Sequence, residues 1–581
     1  MANFFLDNED IQFLFEHMDL RQLAGLYEEG FRFCQEHDFA PEDAEDAVDN
    51  YRRILTALGE LAADEIAPTA AQTDRVGNVL NEDGSVTYAP GIADAMTRLS
   101  QADLMGSTLP YRFGGLNCPQ LVYMMSNDIV SRADASLMNL YGLQGIAETI
   151  NAYADEAIKE AVLPEMAAGR KTGAMVLTEP DAGSDLQSIK VRAFEDGSGN
   201  WVVQGVKRFI TNGCGDVLLV LARSEPEIGD ARGLSLFLVE RGPRVKVRRL
   251  EEKLGIHGSP TCELFFDDAP AQLIGQRQRG LVTYVMSLMN GARVGIAAQS
   301  LGIAEAAYRV ARDYAAKRRQ FGLEIEKIPA VRELLVEMSI DLQAARALTY
   351  YTSFCLDLEV CTARRLEGGD SVGDAERRRL QQEARRLKRV NAMLTPMSKY
   401  YASEMSMRVA NSAVAVLGGS GYMKDYSVER HLRDSRITTI YEGTSQLQVV
   451  AALAGVASGL ARSLVEELLN RAWPEPVAPQ AERVREGLAL LDEAVAFAKG
   501  HGGNGYLDLY GRKLVDMACV LLIAALLCDH ATASEHKQAV AQRWLAVKVP
   551  ELRMNKELVC SGDEAVIGKF EALVGTAVAA V

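Results

Sequence analysis

Between residues 200 and 270 the chain changes texture. "NWVVQGVKRFITN", "VLLVLARS", "LSLFLVERG", "VKVRRL" and "CELFFDDA" are short runs rich in β-branched and aromatic residues, parted by Gly, Asp and Pro. That is the pattern of strands joined by turns. On either side, up to about residue 168 and again from about 278, apolar residues recur at helical spacing. Few architectures satisfy a sheet between two helical regions. The chain reads as α+β, mainly α, with an antiparallel β domain at 169–277 between a helical domain at 1–168, N-terminal extension included, and a helical bundle at 278–460.

A further helical domain is expected at 461–581. "VREGLALLDEAVAFAKG" and "KLVDMACVLLIAALLCDHA" run from amphipathic to wholly apolar, so this part packs rather than trails. Three prolines in "RAWPEPVAPQAE" bar a continuous helix and mark the hinge before it. The longest apolar run, Met517 to Cys528, has twelve residues between Asp516 and Asp529. A bilayer asks for roughly 20, so a core helix is expected and no membrane span. "LEGGDSVGDAERRRLQQEARR" at 366–386 reads as a Gly-rich loop entering a charged helix, an insertion in the second helical region. "LGGSGY" at 417–422 and "HGGNGY" at 501–506 echo each other, as short Gly-rich turns do by chance.

The formal charge of −17 argues against a nucleic-acid partner, which needs clustered cations. Nine scattered cysteines without a C-x-x-C pair read as reduced core residues. Seven histidines without ligand spacing give no metal site. The N-terminal "MANFFLDNEDIQFLFEHMDL" mixes acids with apolar residues and has no basic start, so no signal peptide is expected and the location is cytosolic.

Four stretches carry chemistry. "VLTEPDAGSD", Val176 to Asp185, stands where helices give way to the sheet. Its hydroxyls at Thr178 and Ser184, with Gly183 allowing close approach, suit a ligand with many acceptors, such as a flavin or a nucleotide. "RFITNG" pairs the Phe209 ring with the Thr211 hydroxyl. "AKRRQFG", Ala316 to Gly322, ends a helix with three cations, an amide and an aromatic, which suits a pyrophosphate or a basic surface end equally. Finally "LGGSGYMKDYSVERHLRDSR" leads into "ITTIYEGTSQLQ", where the lone acid Glu442 sits between an apolar approach and a glycine, just before a helix.

The order and spacing of these stretches resemble the acyl-CoA dehydrogenase family from about residue 50 to 460. Both family signatures are present, "LTEPDAGSD" and "GGSGY…D…R…D" followed by "IYEGTSQLQ". The added N-terminal, 370-region and C-terminal parts are similar to the longer bacterial branch that includes methylmercaptopropionyl-CoA dehydrogenase-like enzymes. The resemblance implies a helical domain, a middle β domain and a four-helix bundle, with FAD as cofactor and an acyl-CoA thioester as substrate. It gives Glu442 the role of α-proton base, with the β-hydrogen leaving as hydride to flavin N5. Desolvation would lift such a carboxylate toward neutrality, as the task needs.

By the same matching Met175, Leu177, Thr178, Phe209 and Thr211 line the flavin ring, and Ser184 touches flavin or thioester. Arg318, Gln320, Phe321, Gly418 and Gly419 meet the flavin's adenosine diphosphate from a neighbouring subunit, and Thr444 and Gln446 fall on further flavin positions. Asn290, Arg293 and Gly443 lie by the substrate, and Thr444 can cap the helix after the acid. Some members carry the base where this chain has Ala292, which leaves Glu442 without a rival. Two departures, Ala415 and Pro329, fall at the adenosine end. Shared cofactor contacts imply a homodimer or homotetramer, and an electron-transfer flavoprotein is the implied electron acceptor. An acyl-CoA oxidase and a DNA-associated flavoprotein of the same fold are the alternatives; a binding protein without catalysis ranks last, given Glu442.

Overall fold

The computed structural model describes residues 2–368, 373–502 and 504–577. The Gly-rich part of the expected 366–386 insertion at 369–372, and Gly503 in the second Gly-rich turn, lie outside them. The chain divides into two compact units, Met1–Lys388 with Ser398–Ser445, and Arg389–Met397 with Gln446–Val581.

The first unit holds the sheet. Its strands are β1 (Gly173–Val176), β2 (Arg192–Glu195), β3 (Trp201–Thr211), β4 (Val217–Arg223), β5 (Leu234–Glu240), β6 (Val245–Leu250), β7 (Thr261–Pro270) and β8 (Gln272–Ile274). They lie in the order β8-β5-β4-β2-β3-β7-β6, with β1 beside β4. The five long runs expected from sequence all form strands within two residues of their expected ends. The sheet is nevertheless mixed, which corrects the expected antiparallel one. β1 runs parallel to β4, Gly173–Val176 against Val217–Val220, and β2 meets β4 in parallel at Arg192 and Arg223. The cause is connectivity: between β1 and β4 the chain passes through a long loop, β2 and β3, the kind of crossover that parallel strands require.

β4 and β5 are apolar at almost every position because both faces are covered. Val217, Leu219 and Leu221 join Ile146, Ile150 and Met166 of the helical region in one core. Leu218, Val220 and Ala222 face the other way, toward Val203, Phe237 and Phe266. Two-residue alternation thus divides one uninterrupted run between two cores.

Around the sheet stand α1 (Glu9–His17), α2 (Gln120–Ala133), α3 (Ala135–Leu143), α4 (Met286–Lys317), α5 (Pro329–Glu367), α6 (Asp374–Leu417) and α7 (Val428–Thr438). α4 packs against α2, α5 and α7. Its approach to α2 is close because Gly302 has no side chain: a Cβ there would stand 2.3 Å from the Asp128 carbonyl oxygen. In the described part of the 366–386 stretch α5 ends at Glu367 and α6 begins at Asp374, so the expected charged helix is the first part of α6.

One buried cation ties this unit together. Arg346 on α5 reaches Asp10 of α1 at 2.6 Å, Asp128 of α2 at 2.9 Å and Glu305 of α4 at 3.0 Å. The N-terminal extension is thereby fastened to the core by charge as well as by Ile11, Leu14 and Phe15.

The second unit contains α8 (Ser445–Ala457, from Gln446 on), α9 (Leu460–Leu469), α10 (Ala478–Gly500), α11 (Asn504–Ala531) and α12 (Glu535–Val559). α10, α11 and α12 pack together, with Trp544 buried among them. The proline stretch expected as the hinge between the helical parts falls between α9 and α10, inside the second unit, whereas the units divide earlier, at Ser445 and Gln446. The twelve-residue apolar run lies inside the longer apolar helix α11. By length and composition alone, 505–531 and 280–317 are long and apolar enough to cross a membrane, or three spans if the bent pair α8–α9 counts as one. In this fold 89% and 56% of the two apolar windows are buried inside the protein.

Replacing the shared cation tests its weight. Arg346→Met withdraws the charge that buried Asp128 and Glu305 share with half-buried Asp10, and is expected to destabilise by about 3–5 kcal/mol. Thermal unfolding should show a clear fall in midpoint; an unchanged midpoint contradicts the anchoring role.

Candidate active site

The second signature folds as helix, turn, helix. α7 ends at Thr438, so the apolar approach "ITT" is the tail of a helix. Glu442 then takes φ +55° and Gly443 φ +92°, and α8 starts at Ser445, which leaves Thr444 at the cap position. A left-handed backbone is natural for Gly443 and costly for Glu442, the kind of strain that surrounding structure must hold in place. Glu442 is half-buried, and desolvation raises its carboxyl to about 7 against the opposing pull of Arg293 and Lys399. Burial wins over two cations.

The turn is held from two sides. On one, the Tyr441 hydroxyl donates into a buried amide pair, to Gln299 Oε1 and toward Asn139 Oδ1 at 3.1 Å. Gln299 Nε2 in turn donates to Asn139 Oδ1 and to the Ala135 carbonyl, both at 2.9 Å. On the other side stands α6. Lys399 Nζ donates to the Gly443 carbonyl at 2.7 Å, Ser403 Oγ to the Thr438 carbonyl at 2.9 Å, and Ser445 Oγ to Glu404 Oε1 at 2.6 Å. Arg293 approaches from α4, near the π-turn that opens that helix, with Nη1 3.4 Å from Asn290 Oδ1. Its Nε is buried and has no acceptor among the described residues, a donor available to a bound group. Ala292 beside it offers no carboxylate.

The first signature builds a second cluster. β1 carries Met175, and the chain leaves it through buried Leu177 and half-buried Thr178. Glu179 and Lys207 lock this exit: Lys207 Nζ donates to the Leu177 carbonyl at 2.7 Å and to Glu179 Oε1 at 2.9 Å. Glu179 also accepts from the backbone of Lys190 at 2.6 Å and Val191 at 3.0 Å, closing the 180–190 loop on itself. The pair is buried, and desolvation takes the Lys207 ammonium down to about 8 against the pull of Glu179.

Next along β3, Arg208 N–H donates to the Thr178 carbonyl at 2.9 Å. There the pairing with β7 slips, and Phe209 turns left-handed at φ +61°. Such a bulge re-aims a side chain. The Phe209 ring is half exposed, a site for a flat apolar surface, with the Thr211 and Thr178 hydroxyls at hand. Ser184 and Gly183 are exposed on the loop, and a Cβ on Gly183 would meet only the Thr178 methyl, at 3.5 Å.

The remaining expected residues lie on the outside. Arg318, Gln320, Phe321, Gly418 and Gly419 are exposed, Phe321 to 90% and held at φ +53°. Arg318 and Ser420, next to Gly419, line one open hollow of about 550 Å³ with Arg309, Tyr314 and Tyr426. A Cβ on either Gly418 or Gly419 would meet nothing within 4 Å. Ala415 is exposed on the last turns of α6, and Pro329 opens α5. Gln446 is exposed at the start of the second unit. Sequence reasoning missed Lys399, Glu179, Lys207, Gln299 and Asn139. One signal was present: Lys399 is the single charge between Arg389 and Glu404, in a helix that otherwise reads as core.

The N-terminal domain of acyl-CoA dehydrogenases matches residues 49–170, the middle domain 174–269, and the C-terminal domain 279–358 with 377–457. The short-chain specific acyl-CoA dehydrogenase of Clostridium acetobutylicum is 32% identical over 402 residues, 68% of this chain and 94% of that protein. A chain solved in work on the electron transferring flavoprotein of Acidaminococcus fermentans and flavin-based electron bifurcation is 29% identical at TM-score 0.60, covering 70% of this chain and 97% of its own. An acyl-CoA dehydrogenase from Bacillus anthracis, solved with FAD, shares the fold over 90% of both chains at TM-score 0.74 and 22% identity, so its likeness extends into the added helical region. From its three matched domains and a relative covered almost end to end, the chain belongs to the acyl-CoA dehydrogenase family.

Proposed function

We propose that the protein is an FAD-dependent acyl-CoA dehydrogenase that converts an acyl-CoA thioester to the 2-enoyl-CoA, with Glu442 as the base that takes the α-proton. The observation that carries this reading is the Glu442 turn: a carboxyl raised to about 7 by burial, in a strained backbone braced by α6 and by the Tyr441 network.

The residues present fit the cofactor. Phe209 offers a half-exposed ring, Thr178 and Thr211 offer hydroxyls, Met175 and Leu177 line the strand exit, and the buried Arg293 Nε lacks an acceptor among the described residues. These would hold the flavin ring, with Ser184 and Thr444 as further contacts. When bound, FAD supplies the acceptor for the hydride that leaves Cβ, which with the α-proton accounts for both hydrogens lost.

The protein's own part is to make a carboxylate basic enough and hold it still. A thioester α-proton is a weak acid, so a base near pH 7 transfers it with less penalty than a solvated carboxylate. Arg293 and Lys399 keep that basicity from rising so far that the group is protonated at neutral pH. Gly443 supplies the left-handed backbone that the turn beside the acid requires, and Asn290 lies one helical turn from Arg293 on the same side.

Electrons then pass to an electron-transfer flavoprotein, a reading supported by the likeness to the Acidaminococcus chain. The exposed set Arg318, Gln320, Phe321, Gly418 and Gly419 supports a homo-oligomer in which these residues meet the partner's cofactor. A cytosolic location belongs to the same reading.

The test is a panel of acyl-CoAs with dye and with electron-transfer flavoprotein as acceptors, run against oxygen uptake. Dehydrogenase turnover with little oxygen consumption supports the proposal, and oxygen as the preferred acceptor makes the protein an oxidase. Glu442→Gln is expected to keep the flavin and the thermal midpoint while turnover falls by about 10²–10⁴-fold or more; a near-native rate removes the base assignment. Because only ionised Glu442 accepts a proton, kcat/KM should rise about tenfold per pH unit and level off above about 7. A profile flat from about pH 5 upward contradicts the raised carboxyl.

A further inference from the structure

Lys399 is wholly buried, yet it is an odd choice for what it visibly does. Its one protein acceptor among the described residues is the Gly443 carbonyl, at 2.7 Å. A serine or an amide holds a carbonyl without the cost of burying an ammonium. Ser403, one helical turn further along the same face of α6, does that for Thr438. The charge therefore needs a second reason, and its surroundings supply one.

Lys399 faces Glu442 on the turn, Arg293 on α4 and Glu404 on its own helix. Burial takes the ammonium down to about 7, Glu442 pulls it back most strongly, Arg293 opposes, and Glu404 assists. The carboxylate of Glu442 feels Lys399 and Arg293 in the same way. Tyr441, the remaining titratable neighbour on the turn, is engaged with Gln299 and Asn139. The hydrogen bond lands on the peptide just beyond two successive left-handed residues, Glu442 and Gly443, where the backbone is most inclined to relax.

We propose that Lys399 is the positioning residue for Glu442: its hydrogen bond to Gly443 fixes the left-handed turn, and its charge holds the carboxylate ready to accept a proton. This rests on the reading of Glu442 as base, and extends it to a residue on a different helix. Two functions in one side chain explain why a lysine stands where a neutral donor suffices for the geometry.

Lys399→Met and Lys399→Gln, made in the full-length flavin-loaded protein, separate the two functions. Met removes the hydrogen bond and the charge; Gln keeps a donor and removes the charge. Infrared titration of the protonated-carboxyl band that Glu442→Gln abolishes reads the base directly, without substrate. In both variants its midpoint is expected to rise by about one pH unit or more. Turnover at pH 7 should fall about 10- to 100-fold in Lys399→Met and less in Lys399→Gln.

An unmoved midpoint with native turnover in both variants overturns the proposal. So does failure of both variants to fold with flavin, which makes the lysine structural. If the wild-type protein turns over no acyl-CoA but the midpoint still rises, the proposed function fails while the coupling of Lys399 to Glu442 stands. If the wild type turns over acyl-CoA and the midpoint stays fixed, the lysine proposal alone fails.

Discussion

One half-buried carboxylate, Glu442, is the constraint on which the candidate site depends. Desolvation pushes Glu442 toward the neutral acid, and two cations, Arg293 and Lys399, pull it back. Neither influence alone gives a useful base. Burial without cations leaves the group protonated at neutral pH, and cations without burial leave it as weak as an exposed glutamate. The balance depends on three elements meeting at one turn: α4 brings Arg293, α6 brings Lys399, and the α7–α8 turn brings the acid.

The same economy appears at the first signature. Glu179 and Lys207 are a buried pair whose remaining polar atoms are taken by the Leu177 carbonyl and by the backbone of Lys190 and Val191. Such a fully satisfied pair adds less to stability than to definition, because breaking it strands a charge. Here it defines where β1 ends and where Thr178 lies against β3. The bulge at Arg208 and Phe209 then turns an aromatic ring outward from a strand whose other residues are largely covered. Two clusters of the unit thus follow one rule: a buried charge fixes the backbone, and the backbone sets where Glu442 and Phe209 stand.

Much of this was legible in the chain, and the gaps have physical causes. The five strands of six or more residues show β-branched runs of adequate length, whereas β1, β2 and β8 span four residues or fewer and offer no alternation to read. The parallel partnership of β1 and β4 is a matter of which strand lies beside which, and local composition does not encode that. The left-handed pair at Glu442 and Gly443 was foreshadowed by the glycine alone. Glu442 itself is one acid among many, and only its order relative to the "TEPDAGSD" and "GGSGY" stretches singled it out. Lys399 and Gln299 act across 43 and 143 residues of chain from Glu442. Spacing of that size has no local signature, though a lone charge in an apolar helix is a hint. The residues at 318–321 and at 418–419 are exposed, and a basic, Gly-rich surface has no burial pattern for the sequence to announce.

The central claim is that Glu442 removes a proton from the carbon next to a coenzyme A thioester, and exchange with heavy water isolates that step from redox chemistry. The flavin-loaded protein is held without oxygen or electron acceptor in D2O with a thioester that has α-hydrogens but no β-hydrogen to lose, such as acetyl-CoA, and deuterium at the α-carbon is followed by mass spectrometry. The account predicts steady incorporation by the wild-type protein and none above background once the carboxylate is replaced by an amide. Equal incorporation by both proteins, or a wild-type protein that leaves the α-position untouched, would contradict it.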